Sequence, residues 1–258
     1  MNTIFLQNVL TVAKNTFKET VRNKILYGIL AFALVYMLFT LFLGSISLGE
    51  DLHVIRSLGL AGIYLFSIII TVFLGSSLLY KEIERKTLYF VLSKPVSHAH
   101  LVLGKFFGLL ASVAVAVAGM ALVYLSVVAF KGGGFDVLAL LSIFYQMLEM
   151  ALLIALSIFF STFSMPLMST LYAVLIIYIG HSLDLLVSSV AKSSVAAKAI
   201  VKVIYYLLPN LSKFDIRDLV AYGTHIPFTQ TLLVIAYALV YIVVLLYMAS
   251  YLFEKREL

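Results

Sequence analysis

The chain has no cysteine among its 258 residues, which excludes a disulfide scaffold, thiolate metal sites and a cysteine nucleophile and leaves the redox compartment open. Charge is scarce too. Lys, Arg, Asp and Glu make up 12% of the chain, against about 25% in a soluble domain. Apolar residues make up 63%, with a mean hydropathy of +1.11. A globule of this size cannot hide that much apolar surface from water, so the chain belongs in lipid. Although the net charge is +6, no basic face in water of the kind a nucleic acid needs is present; in a membrane protein the cations report orientation instead. The chain also lacks a Gly-x-x-x-x-Gly-Lys-[Ser/Thr] phosphate loop: its one Gly-Lys pair, Gly104-Lys105, has Ala99 where the first glycine would stand. No Gly-x-Ser-x-Gly elbow accompanies the histidines and acids. An intramembrane enzyme therefore has no catalytic set to stand on, and ATP use requires a separate subunit.

What the sequence does contain is six runs long enough to cross a hydrocarbon core, which takes about 20 mostly apolar residues. They cover approximately 25–47, 59–80, 105–130, 138–162, 167–190 and 228–252. The first is expected to be retained, since Gln7, Asn8, Lys14, Asn15 and Lys18 break up any signal-like apolar stretch before it. Gly49-Glu50-Asp51-Leu52-His53 and Lys131-Gly132-Gly133-Gly134-Phe135-Asp136 read as tight turns. Pro166 argues against one continuous helix through spans four and five. Lys14, Lys18, Arg22 and Lys24 before the first span, and Lys81, Arg85, Lys86, Lys94 and Lys105 between the second and third, mark one side as cytoplasmic. With six spans the tail Glu254-Lys255-Arg256-Glu257 returns to that side. The expectation is an all-α integral membrane protein with both termini in the cytoplasm. A longer outer loop, 191–227, carries cations against the rule, and within it Ala196–Leu208 is too short to span but suits an interfacial or re-entrant helix.

Two elements on the cytoplasmic side stand out. Residues 3–23 have a helical period, with Leu6, Leu10, Ala13, Phe17 and Val21 on one face and Lys14, Lys18 and Arg22 on another. This predicts an amphipathic helix on the membrane surface, contacting lipid or docking a partner. The second element, residues 81–104, holds the densest charge in the chain. Glu82, Glu84, Arg85 and Lys86 precede Leu88, Tyr89, Phe90, Val91 and Leu92, the apolar-anchor and charged-rim composition of a protein interface. A short helix over 87–93 is predicted, stopped by Pro95, with Ser97 as the N-cap of the next helix.

This segment, KEIERKTLYFVLSKPVSHAHLVLGK, resembles the intracellular loop of type-2 ABC transporter permeases, whose pattern runs Glu-x-Glu-x-x-Thr-Leu, Leu-x-x-Pro-Val-Ser and Leu-Gly-Lys. The matching residues are Glu82, Glu84, Thr87, Leu88, Leu92, Pro95, Val96, Ser97, Leu103, Gly104 and Lys105. Within the family the likeness is to single-domain permeases akin to that of the nitrous oxide reductase maturation system. The sequence departs at His98, where the family often has arginine. The resemblance implies a coupling helix seated in a separate ABC ATPase subunit, which binds the ATP and Mg, beside an N-terminal helix carrying Lys14, Phe17, Lys18 and Arg22. It further implies two permeases with two ATPases in the inner membrane of a prokaryote, and a periplasmic or extracellular accessory protein as a further partner.

Polar groups inside spans are costly and mark candidate sites. Glu149 lies near the middle of span four, one turn from Gln146 on the same face. His181 and Asp184, at i and i+3 near the outer end of span five, are spaced for an imidazole–carboxylate pair. With two ligands, no third histidine nearby and no cysteine, no metal site is expected. These residues motivate a second class of function, a stand-alone proton- or ion-coupled carrier built on Glu149, His181 and Asp184. Against it, neither an inverted repeat nor Gly/Pro-broken midspan helices are found.

Overall fold

The computed structural model describes residues 2–46, 51–84, 97–134, 136–190, 195–221 and 226–255. Among them there are helices and no strands. Six helices are long and apolar enough to cross a membrane: α2 (Lys24–Ile46), α3 (Asp51–Glu84, its apolar part Asp51–Ser76), α4 (His98–Phe130), α5 (Val137–Ser161), α6 (Pro166–Val190) and α9 (Phe228–Lys255). A helix α1 (Asn2–Val21) precedes them, and α7 (Val195–Leu207), a 3-10 turn (Leu211–Phe214) and α8 (Arg217–Ala221) lie between α6 and α9.

Two boundaries differ from expectation, both of them on α3. Helix α3 starts at Asp51 and not near 59, so Asp51 and His53 are helical rather than part of a turn. A carboxylate in the first helical turn is favoured by the N-terminal dipole, and the ion pairs Arg56–Asp136 (3.2 Å) and Lys131–Asp51 (3.5 Å) tie this polar start to the α4–α5 connection. At the other end α3 continues to Glu84, past the expected 80, and α4 begins at His98, directly after its expected N-cap Ser97, although the apolar run starts only at 105. The expected loop 81–104 thus enters and leaves as helix. Its centre, with Arg85, Thr87, Leu88, Leu92, Pro95 and the short helix over 87–93, lies outside the described residues, as do the side chains of Glu82 and Glu84.

Ser97 stands at the N-cap of α4 and its N–H donates to His100 Nδ1 at 2.9 Å. The His100 ring meets Phe5 of α1 (4.3 Å between centroids) and the His98 ring meets Phe253 of α9 (5.3 Å). Helix α1, the start of α4 and the end of α9 therefore share one end of the molecule, hereafter the α1 end.

Helix α1 is fastened to α4 along a stripe of small and β-branched residues. Val9, Thr16 and Thr20 are buried, whereas Leu6 and Leu10 are 59% and 66% exposed. The apolar face expected from periodicity is thus not the packed one. It lies a quarter turn away, with Lys14, Lys18 and Arg22, all exposed, beyond it and Phe17 half-buried. The packing works because α4 presents Gly104 and Gly108. A Cβ on Gly108 would lie 2.6 Å from the Ala13 carbonyl oxygen and 2.6 Å from Thr16 Cβ, and one on Gly104 would lie 2.5 Å from Val12 Cβ. Close approach of this kind replaces the hydrophobic drive that lipid does not supply.

Helix α5 is the hub. It packs on α3, α4, α6 and α9, and every residue from Glu149 to Ile158 on it is buried. Side-chain hydrogen bonds join it to its neighbours: Thr71 Oγ1 donates to Met150 Sδ (3.3 Å), Tyr145 Oη to Thr231 Oγ1 (3.0 Å) and Ser169 Oγ to the Ser157 carbonyl (3.3 Å).

Candidate functional site

The segment after α6 folds back onto the helices at the end opposite α1. Asn210 initiates the 3-10 turn by accepting from the Ser212 N–H (3.1 Å), and its own N–H donates to Tyr237 Oη on α9 (2.7 Å). Leu211 and Phe214 are fully buried and Ile216 and Val220 nearly so, which sets α8 against α3 and α5. Gly180 on α6 makes room, since a Cβ there would meet Leu211 Cγ at 2.8 Å and the Pro209 carbonyl oxygen at 2.9 Å.

Beneath this segment three helices meet at one polar cluster. Tyr64 Oη of α3 donates to Glu149 Oε1 of α5 at 2.9 Å, and His181 Nε2 of α6 lies 2.9 Å from the same oxygen and in hydrogen-bond contact with Tyr64 Oη. The Glu149 side chain is 0% exposed and that of His181 24%. The Arg217 guanidinium sits over the Tyr64 ring at 4.1 Å and forms a bidentate pair with Asp215, Nε to Oδ1 at 2.8 Å and Nη2 to Oδ2 at 2.6 Å. An open groove of about 610 Å³ runs along this cluster, lined among others by Tyr64, Tyr178, His181, Ser212, Asp215, Arg217 and Asp218.

The expected His181–Asp184 pair does not form. His181 turns inward to Glu149, while Asp184, a turn further along α6, accepts from Asn210 Nδ2 (2.8 Å) and from Ser212 Oγ. Helical spacing permits the i, i+3 pair, but each residue has a stronger partner from another element. Glu149 and Gln146 do share a face, both buried (0% and 2% exposed). Asp184 lines a second groove of about 460 Å³ with Lys198, Lys202, Tyr205 and Tyr206, between α6 and α7. The carrier constellation of Glu149, His181 and Asp184 is thus divided, and Tyr64 and Arg217 take the place of Asp184 around Glu149. Sequence reasoning passed over Tyr64. Its only signal was a hydroxyl in an apolar span.

Asp215 titrates against a guanidinium that stays charged. Burial pushes the Asp215 carboxyl up, but the hydrogen bonds and charge of Arg217 outweigh it and hold the group below its ordinary value. Since the folded value is the depressed one, the stabilisation is complete above the ordinary carboxylate pKa of about 3.9 and is lost as pH falls through the lower folded value. Asp215→Asn should therefore flatten the acid limb of a thermal-stability profile, by no more than about 1 kcal/mol for so exposed a pair. An unchanged acid limb would disconnect Asp215 from the stability of the segment.

A family model described as ABC-2 family transporter protein matches residues 10–166, more than half of the chain. The chain belongs to this family. It is a membrane permease component of an ABC transporter, and membership implies association with an ABC ATPase. The match takes in most of α1, the segment from Glu82 to Lys105, Tyr64, Gln146 and Glu149, and it ends at Pro166, before His181, Asp184 and Arg217. None of the curated proteins compared matches the chain.

Proposed function

We propose that this permease works as a dimer with two copies of a separate ATPase, and that the segment between α3 and α4, led by Glu82 and Glu84, is the coupling element that the ATPase grips. The α1 end is then cytoplasmic, carrying both termini, in the inner membrane of a prokaryote. ATP and Mg bind to the partner, and this chain performs no chemistry of its own. The carrying observation is the construction of that end. Helix α4 leads directly out of the segment, is capped by Ser97 and His100, and is locked to α1 through Gly104 and Gly108. Force applied to the segment then moves α3, α4 and α1 together as rigid helices. Lys14, Lys18 and Arg22 are exposed on α1, open to anionic headgroups or an acidic ATPase surface. An accessory protein of the outer side would meet the segment from α7 to α8.

Reversing one charge is the test. In the reconstituted complex Glu84→Lys should lower permease-dependent ATP turnover at least about tenfold, the scale of one lost charge-assisted contact at an interface, with the purified permease still folded. Unaltered turnover in that variant would refute coupling through this segment.

A further inference from the structure

We propose that Glu149 and His181 form a proton-binding site inside the helix bundle, loaded through the groove at the end opposite α1 and solvated along a buried polar stripe of α5. This requires only that α3, α5 and α6 lie in the membrane, and it stands apart from the ATPase reading.

The hydrogen-bond geometry limits what the cluster holds. Tyr64 Oη, Glu149 Oε1 and His181 Nε2 are mutually within hydrogen-bond distance. Tyr64 gives its one proton to Oε1, so the contact between Oε1 and Nε2 needs a proton of its own, carried by Nε2 when Glu149 is a carboxylate. The exchangeable proton is then the second one on the imidazole. A hydronium in the groove transfers it to Nδ1, an N–H bond forms and water is left behind. The cluster passes from a net charge of −1, on Glu149, to an imidazolium–carboxylate pair of net zero. Release reverses the step.

No other described cation lies within ion-pair distance of Glu149. The ionisable groups around the site are Tyr64 on α3, Tyr178 on α6, Asp215, Arg217 and Asp218 after α7, and Asp184 a turn away on α6. Arg217 is held bidentately by Asp215, Asp184 by Asn210 and Ser212, and Asp218 adds a negative charge at the groove rim. A carboxylate that is 0% exposed inside a bundle is neutralised rather than left alone. His181, reaching the groove, is the group through which that occurs.

A second observation is independent of the triad. Ser142 Oγ, both amide atoms of Gln146 and Glu149 Oε2 are buried without a hydrogen-bond partner among the described residues. They stand at i, i+4 and i+7 on one face of α5, separated along the axis by about 6 Å and 4.5 Å. Orphaned buried polar atoms call for water, and three in succession match a short file of waters ending at the carboxylate. Such water favours the charged form of Glu149 when His181 has lost its proton.

Histidine-labelled chain in lipid nanodiscs tests this by following the His181 ring nitrogens with NMR through a pH titration, the resonances assigned by their loss in His181→Gln. Glu149→Gln should lower the His181 midpoint by about one pH unit or more, because an adjacent carboxylate stabilises the imidazolium. Gln146→Leu should move it the opposite way, upward, because the dehydrated carboxylate keeps its compensating proton longer. Asp184→Asn should leave it in place. A midpoint unmoved by Glu149→Gln, moved as far by Asp184→Asn, or unmoved or lowered by Gln146→Leu overturns the proposal. If Glu149→Gln does not fold, the other two variants decide. No nucleotide or ATPase is present, so failure here leaves the coupling proposal untouched.

Discussion

Gly108→Val should detach α1 from the bundle. The added Cβ would lie 2.6 Å from the Ala13 carbonyl oxygen, which is backbone and cannot rotate aside, so either the helix shifts or the contact is lost. Overpacking of this kind costs about 1–3 kcal/mol. The variant should melt earlier in detergent, expose α1 to protease and, if α1 steadies the coupling end, lower ATP turnover in the complex as well. Gly119→Val is the internal control, since a Cβ there meets nothing within 4 Å. Equal effects of the two substitutions would mean that valine in α4, and not the α1 contact, is responsible.

The second large effect concerns the polar cluster. Glu149→Ala removes the acceptor shared by Tyr64 and His181 and opens a cavity on α5, the helix against which α3, α4, α6 and α9 all pack. Losing one partner of a buried pair costs about 3–5 kcal/mol. Glu149→Gln keeps an oxygen in place and should cost clearly less. The Asp184→Ala change, at a site bonded to Asn210 and Ser212, should loosen the segment after α7 while sparing the core. Thermal unfolding in nanodiscs orders the three, and an Asp184→Ala loss as large as that of Glu149→Ala would contradict the central position given to α5.

Much of this architecture was legible because lipid imposes a length. The six apolar runs correspond to α2, α3, α4, α5, α6 and α9, and turn chemistry placed the α4–α5 break correctly. Boundaries drifted where hydropathy stops informing: Asp51 and His53 lower the local average, yet the helix dipole and the Asp51–Lys131 and Arg56–Asp136 pairs hold this stretch as helix. The face of α1 that packs on α4 was not legible, because the period points to the face meant for lipid or a partner. Periodicity ranks Leu6 and Leu10 above Thr16 and Thr20, but in a membrane shape decides contact, and the small residues fit Gly104 and Gly108. Glu149 could be singled out as a lone acid in a span. Its partners could not, because His181 has an equally well-spaced acid on its own helix and Tyr64 lies 85 residues from Glu149 in the chain.

The absence of cysteine allows the central claim to be tested without background labelling. In the otherwise intact chain, Glu84→Cys provides one thiol in the coupling segment and Ser188→Cys provides one near the end of α6, at the opposite end of the molecule. With a short thiol-to-amine cross-linker and the ATPase present, Glu84→Cys should give an adduct of permease plus ATPase, and Ser188→Cys should not. An adduct from Ser188→Cys and none from Glu84→Cys would contradict both the orientation and the coupling role assigned to this chain.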